Sequence, residues 1–460
     1  MSPAPRGRPS RPDVAKARAE APAKPGLAAR VAATRLLGAV IESRSSLDGL
    51  LDTESGNPHF LALPDHDRLL VRAILLAALR HLTIIDAFID RMTDKPLPGG
   101  ARALRHLLAV AAAQILYLDV PDHAVVDLAV TQANDDPRNR RFASLVNAVL
   151  RRMIRERETT LAEVEARTEP FPAWFATRLR EIHGAERAKA VMAALLLPPP
   201  LDLTVKSDPH GWAERLGGIV LPTGTVRLPG NSGAVTALEG FGDGKWWVHD
   251  AAAAIPARLF GRLDGKRVAD LCAAPGGKTA QLILAGGQVT AFDQSANRLK
   301  RLQGNLARLG LSAETRLSRA QDVADADGFD AVLLDAPCSS TGTVRRHPDI
   351  VWTKSRDDVA KLAAVQRQLL DAAAKLVRPG GSLVFSNCSA DPQEGEDLVA
   401  AFLAANSAFR IAPVSPADWP GLEEAITAKG EVRTDAAMLR QENPLLSGLD
   451  GFYAAVLVRD

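Results

Sequence analysis

The chain has 460 residues, 47% of them hydrophobic and 24% charged, with a formal net charge of +2. At about 100–200 residues per domain that is roughly two to four domains; no run approaches the roughly 18 uninterrupted apolar residues of a membrane span, so a membrane-embedded role is excluded. Three cysteines are too few for a disulfide framework and their spacing fits no zinc ligand set, which points to a reducing cytoplasm and no metal, and so small a net charge leaves any nucleic-acid affinity to local basic surface.

Residues 1–25 mix Pro, Ala and Arg around six basic side chains, Arg6, Arg8, Arg11, Lys16, Arg18 and Lys24, and lack an apolar core. They read as a disordered basic tail and not as a secretory signal. From residue 26 to 158 apolar residues recur at helical spacing, with breaks near Pro64, Pro96 to Gly100, Pro121 and Asp135 to Pro137. This predicts an all-helical domain. Its last segment, Arg138 to Glu158, sets Arg138, Arg140, Arg141, Arg151, Arg152, Arg155 and Arg157 around Phe142, Leu145, Val146, Val149 and Leu150. One face should be buried and the other basic, fit for phosphate contact or for solvation alone.

Residues 159–250 change character: prolines gather at Pro198 to Pro200, and Leu201 to Val205 and Thr225 to Leu228 read as short strands. A small α/β linker domain is expected. From 251 to 460 apolar or β-branched runs alternate with helical stretches, the pattern of a doubly wound parallel sheet. No repeat of 20–50 residues is present, which sets solenoids aside.

Within that last domain, Val268 to Thr279 reads as strand, small-residue turn and helix start: Asp270-Leu-Cys272-Ala273-Ala274-Pro275-Gly276-Gly277-Lys278. Small residues let a ligand approach the backbone, and a helix amino-terminus offers N–H groups to a carboxylate. A Walker A loop needs glycine where Cys272 stands, and the G-x-G-x-x-G fingerprint is absent, so a nucleoside ligand smaller than a dinucleotide is favoured. The next strand ends in Asp293, placed to accept hydrogen bonds from both ribose hydroxyls; Asp322 falls where the loop after a third strand should approach the adenine, or is a plain surface acid.

Two further strands end in thiols. Asp330 to Asp335 leads into Ala336-Pro337-Cys338, and Ser382 to Asn387, introduced by a turn at Pro379-Gly380-Gly381, leads into Cys388. Carboxyl ends of parallel strands form the ligand-binding edge of such sheets, so both thiols can face one pocket. A thiolate added to carbon 6 of cytosine turns carbon 5 into an enamine carbon able to attack an electrophilic methyl. A free thiol near pKa ~8.5 must first lose its proton, and Asp335 is placed to hold the ring at nitrogen 3. An exocyclic-amine methyltransferase would carry an aromatic after the acid-Pro turn, which this chain lacks. A non-catalytic RNA-binding or ribosome-assembly protein would have no need of both thiols.

These motifs, with Arg345-Arg-His-Pro-Asp-Ile350, Asn387-Cys-Ser389 and Asp450-Gly-Phe-Tyr453, resemble the NOL/NOP/Sun family of RNA cytosine carbon-5 methyltransferases. The likeness is strongest to its bacterial 16S rRNA branch with a NusB-like amino-terminal domain, and it spans nearly the whole chain after the tail. It implies a Rossmann-like class I methyltransferase domain preceded by a NusB-like all-α domain and the small α/β linker. It also implies S-adenosyl-L-methionine as cofactor, held by Cys272 through Lys278, Asp293, Asp322 and Asp335, and 16S rRNA as partner; tRNA or 23S rRNA would be the alternatives. Cys388 is then the nucleophile and Cys338 the thiol that helps release product, roles that spacing alone leaves open. The chain departs from the family's usual residues at Lys206, His249, Ser340 and Asn387. His347 is a candidate neighbour of the Cys388 thiol.

Overall fold

The structure is a computed structural model and describes residues 24–230 and 233–460. Of the expected basic tail only Lys24 and Pro25 fall within it; Lys24 Nζ sits 2.7 Å from Asp127 Oδ2. The chain divides into two compact units. One gathers the described chain up to Gly38 with Asp48–Ala78 and Phe88–Thr159; the other holds Ala39–Leu47, Leu79–Ala87 and Thr160–Asp460.

The amino-terminal part of the described chain is built from helices. Leu27–Ser43, Asp65–Arg80, Leu82–Met92, Arg102–Tyr117, Asp122–Asp135 and Ala143–Arg167 follow one another, broken where the prolines and the Asp135–Pro137 segment fall. Leu36, Leu37, Ile74, Leu104, Leu108, Val125, Val146 and Leu150 are fully buried and make its core. On the last helix Val146, Val149, Leu150 and Met153 are buried, while Phe142 and Leu145 are only half so. The helix also runs to Arg167, nine residues past the expected end at Glu158, because Thr159 to Arg167 contains no Gly or Pro to stop it.

The second unit carries two sheets. The smaller has four strands, β1 (Leu201–Val205), β2 (Ile219–Val220), β3 (Val226–Leu228) and β4 (Trp246–Val248), in the antiparallel order β2-β3-β1-β4. The helix Pro209–Leu216 packs Trp212 and Ala213 against Leu203, Val226, Leu228 and Trp246. Asp208 caps that helix by accepting from Gly211 N at 3.0 Å, and Gly217 ends it in the left-handed conformation.

The larger sheet contains β5 (Arg267–Leu271), β6 (Gln288–Asp293), β7 (Glu314–Leu317), β8 (Phe329–Asp335), β9 (Val377–Asn387), β10 (Phe409–Ile411), β11 (Val432–Arg433) and β12 (Tyr453–Arg459). Its order is β10-β12-β9-β8-β5-β6-β7, with β11 paired to β12. The pairs from β7 through β9 are parallel, and β12 lies antiparallel between β9 and β10. β5 and β8 are central and covered on both faces, which is why Ala331 to Leu334 read as an unbroken apolar run and Val268, Ala269 and Leu271 as one interrupted only by Asp270. The turn expected at Pro379 to Gly381 lies inside β9 as an irregularity: Phe329 pairs with Val377 and Ala331 with Ser382, so five steps of β9 face two of β8. Gly380, at φ 75°, supplies the conformation that this excursion requires. The order of the sheet reverses beside β5, so the carboxyl ends of β5, β6, β8 and β9 open onto one crevice.

Candidate active site

β5 ends at Leu271, and Cys272 turns the chain with φ 62°, a conformation that costs a non-glycine residue about 1–3 kcal/mol. The turn continues through Ala273, Ala274 and Pro275 to Gly276, at φ 99°, where the helix Gly277–Leu284 begins without a side-chain cap. A Cβ on Gly276 would meet Leu302 Cγ at 2.9 Å, and one on Gly277 would lie 3.3 Å from the His249 ring. Both positions are glycine because the backbone is hemmed in. The uncapped amino-terminus leaves N–H groups for an anionic or polar ligand.

A cavity of about 320 Å³ opens beside this turn, bounded by Cys272, Ala274, Asp293, Asp335, Cys338 and Cys388 among others. Asp293, at the end of β6, is buried; its carboxylate accepts from Ser295 N at 3.0 Å and Ala274 N at 3.3 Å, so it braces the turn as well as facing the cavity. The loop after β7 contributes Ser318 to Gln321 to the wall, together with Arg298. Asp322 is not part of that wall: its side chain is 63% exposed and lies 3.9 Å from Arg319. A second cavity of about 340 Å³, on the β4 side of the same turn, is lined by Trp247, His249, Asn305 and Arg308 as well as Lys278 and Asp335. Burial there lowers the His249 imidazole to about 3 and keeps it neutral.

Asp335 ends β8. Its Oδ2 accepts from Lys278 Nζ at 2.8 Å and its Oδ1 from Ser386 Oγ at 3.0 Å, and the Lys278 ammonium also lies 5.1 Å from the Phe452 ring centre. Cys338 and Cys388 leave the ends of β8 and β9 and meet with sulfurs 3.4 Å apart; Ser340 Oγ lies 3.5 Å from the Cys388 sulfur and 4.0 Å from that of Cys338. The S–H···S contact favours one thiolate flanked by one thiol. It pulls Cys388 below the ordinary thiol range, helped by Ser340 and by the Lys278 cation, and pushes Cys338 well above it, helped by burial. Burial likewise raises the Cys272 thiol to about 12, which leaves it inert as a nucleophile.

The residues expected from Cys272 to Lys278, with Asp293, Asp335, Cys338 and Cys388, therefore converge on connected cavity walls, whereas Asp322 and His347 do not line them. Sequence reasoning missed Asp270, fully buried beneath the turn and accepting from Thr279 Oγ1 at 2.6 Å, and Glu394, buried behind both thiol loops. An acid within the apolar run of β5 was the available signal for the first. The second is joined to Ser339 across 55 residues and left no local trace.

Comparison with known proteins accords with this geometry. The model of the NusB family matches residues 27–155 and that of 16S rRNA methyltransferase RsmB/F residues 259–458. The chain is 37% identical to ribosomal RNA small subunit methyltransferase B of Xylella fastidiosa over 95% of this chain and 99% of that one. It belongs to the 16S rRNA methyltransferase RsmB/F family. The protein of the same name from Vibrio cholerae is 34% identical, with 93% of this chain and 96% of that one covered. The crystal structure of PH0851 shares the fold at TM-score 0.70 and 23% identity, covering 94% of this chain and 98% of that one.

As an RsmB/F methyltransferase the enzyme uses S-adenosyl-L-methionine, and the residues present fit it. The small-residue turn admits no Cβ at Gly276, the helix behind it is uncapped, and one cavity is lined by both Asp293 and the two thiols. Among the described residues no helix is long and apolar enough to cross a membrane.

Proposed function

We propose that this enzyme methylates carbon 5 of a cytosine in 16S rRNA through a covalent bond between Cys388 and the base. The observation that carries the proposal is the pair of sulfurs at the ends of β8 and β9, 3.4 Å apart, on one cavity with Asp335. When bound, S-adenosyl-L-methionine supplies an electrophilic methyl group. The turn from Cys272 to Lys278 would hold its amino-acid end, Asp293 its ribose, and Ser318 to Gln321 border its base.

Cys388, with the lower thiol pKa of the pair, adds as thiolate to carbon 6 of the cytosine. Asp335, fixed by Lys278 and Ser386, holds the ring edge by accepting from the amino group beside nitrogen 3, and the Lys278 ammonium paired with it offsets the negative charge that develops on the ring as sulfur adds. Carbon 5 then attacks as an enamine carbon. A base then takes the carbon 5 proton as the sulfur–carbon 6 bond breaks, returning the aromatic product, and Cys388 leaves as a thiolate that accepts a hydrogen bond from the Cys338 thiol. The covalent route replaces one steep barrier with lower ones.

In this reading residues 251–460 perform catalysis, residues 26–158 bind RNA, and residues 159–250 link the two. Reaching a base outside its stack costs a few kcal/mol, least where the base is already unpaired, so a loop cytosine is the expected target. Support for RNA as the substrate comes from the relatives' names and from exposed arginines on the first unit.

The test incubates wild type, Cys388→Ala and Cys338→Ala with labelled S-adenosyl-L-methionine and undermethylated 16S rRNA. Wild type should produce 5-methylcytosine, Cys388→Ala none, and Cys338→Ala a trapped protein–RNA adduct. Transfer only to tRNA or 23S rRNA would sink the substrate and keep the chemistry. Full activity in Cys388→Ala would overturn the nucleophile.

A further inference from the structure

Glu394 is completely buried, on a short turn that follows the Cys388 loop. A carboxylate there costs several kcal/mol unless its lone pairs are satisfied, and they are. Oε1 accepts from Ser339 N at 2.9 Å and from Gln366 Nε2 at 2.6 Å, while Oε2 accepts from Ser339 Oγ at 2.5 Å. Its backbone carbonyl accepts from Asn387 Nδ2 at 2.6 Å, and the same amide reaches Gln366 Oε1 at 3.1 Å. Asn387 Oδ1 in turn accepts from Ser389 N at 3.0 Å, and the Ser389 hydroxyl stands 3.3 Å from that of Ser339. One glutamate thus ties the residue after Cys338 to the residues on both sides of Cys388. It does not line the cavity, and the reaction outlined above makes no use of it.

We propose that Glu394 is a positioning residue for the thiol pair, clamping the Cys338 turn to the Cys388 loop so that the two sulfurs stay in contact. The inference rests on the assignment of Cys388 as nucleophile and Cys338 as its partner. Backbone hydrogen bonds join the two loops on either side of this stretch, Ala336 N to Ser386 O at 2.8 Å and Gly342 N to Cys388 O at 3.0 Å; between them, Glu394 holds Ser339, the residue next to Cys338. Without it the 3.4 Å contact loses the bonds that fix the chain immediately after Cys338.

Charge follows from the same placement. The hydrogen bond with Cys388 and burial raise the Cys338 thiol most, and the Glu394 carboxylate adds to them; burial also raises Glu394 itself, against the Ser339, Ser389 and Gln366 bonds that favour its ionised form. When ionised, Glu394 adds to the preference for the proton on Cys338. Neutralising it should bring the two thiol titrations closer together.

The experiment compares full-length wild type, Glu394→Gln, Glu394→Asp and Ser339→Ala. It reads S-adenosylhomocysteine affinity, single-turnover methyl transfer to RNA, trapped adduct, and the pH dependence of iodoacetamide alkylation at each cysteine by mass spectrometry. Glu394→Gln should bind S-adenosylhomocysteine about as tightly as wild type yet lose on the order of 100-fold in single-turnover rate, the scale of a misplaced catalytic group. The Cys338 alkylation midpoint should move to lower pH, and Glu394→Asp, which keeps the charge, should recover part of both effects. Ser339→Ala removes one leg of the clamp while sparing the buried acid; a loss of about tenfold is expected even if Glu394→Gln does not fold. Wild-type rates in a folded Glu394→Gln or in Ser339→Ala, with Cys388→Ala inactive, would overturn the clamp alone. Activity in Cys388→Ala would overturn the reading on which it rests.

Discussion

Asp270 shows how a residue can be essential to the shape of a site and costly to its stability. It is 1% exposed; Thr279 donates to Oδ2, and Oδ1 has no hydrogen-bond partner among the described residues. Burial, with Asp335 and Asp293 nearby, raises its carboxyl to about 7, against an ordinary 3.8. Between about pH 4 and pH 7 the folded protein then holds a proton that the unfolded chain has released, so the contribution is full below pH 4 and is lost as pH rises through 7. The shift corresponds to roughly 4 kcal/mol at most. Asp270→Asn, which still accepts from Thr279, should match wild type at pH 4 and exceed its unfolding midpoint by a margin that grows up to about pH 7 and is then constant. A constant difference between the two proteins across that range would show that Asp270 does not titrate there. At this scale the acids and thiols at strand ends were legible, because the carboxyl edge of a parallel sheet is where function gathers. Asp270 and Glu394 were not, since what marks them is burial and partners distant in sequence. Asp322 resembles a cofactor ligand by position alone, and the turn Ala320–Asp322 directs Gln321 and Ala320, not Asp322, to the cavity.

At the scale of elements, the end of the chain is fastened to the catalytic loops by backbone. Gly342 N donates to Cys388 O at 3.0 Å, and Gly451 N donates to Gly342 O at 2.8 Å, just before β12 begins. A Cβ on Gly342 would fall 1.9 Å from Gly451 O, against backbone that cannot rotate aside. Gly342→Ala should therefore push the Cys388 loop and the start of β12 apart. Overpacking of this kind costs about 1–3 kcal/mol, seen as a lower unfolding midpoint, and methyl transfer should fall further than stability does because Cys388 moves with its carbonyl. Equal stability and equal rate would mean that the two loops separate at no cost. The parallel strands were readable as apolar runs ending in motifs. The insertion of β12 between β9 and β10 was not, because that pairing joins residues far apart in sequence and no local pattern encodes it. The glycine excursion in β9 reads as a turn for the same reason: Pro379-Gly380-Gly381 signals a bend, and only the β8 partner decides that the strand resumes.

At the scale of the whole molecule, a net charge of +2 makes RNA affinity depend on which arginines are spent within the protein. Arg152 pairs with Glu156 at 3.1 Å and Asp94 at 3.3 Å, Arg157 with Asp122 at 3.2 Å, and Arg138 with Asp136 at 3.0 Å. Arg140, Arg141 and Arg151 are exposed and bind neutral groups instead: Asn134 O at 2.8 Å, the face of Phe142 at 4.6 Å, and Asn147 Oδ1 at 2.9 Å. The sequence displays seven arginines as one basic face, and only side-chain geometry divides them. If Arg140, Arg141 and Arg151 contact phosphate, replacing all three with alanine should flatten the slope of log affinity for 16S rRNA against log salt by about 2, near 0.7–0.9 for each contact. S-adenosylhomocysteine binding should not change, since none of the three lines either cavity. Replacing Arg152 and Arg157 should leave that slope nearly intact, because their charge is already balanced by acids. Equal slopes in wild type and the triple variant would remove this helix from the RNA-binding surface, while leaving the thiol chemistry of the other unit untouched.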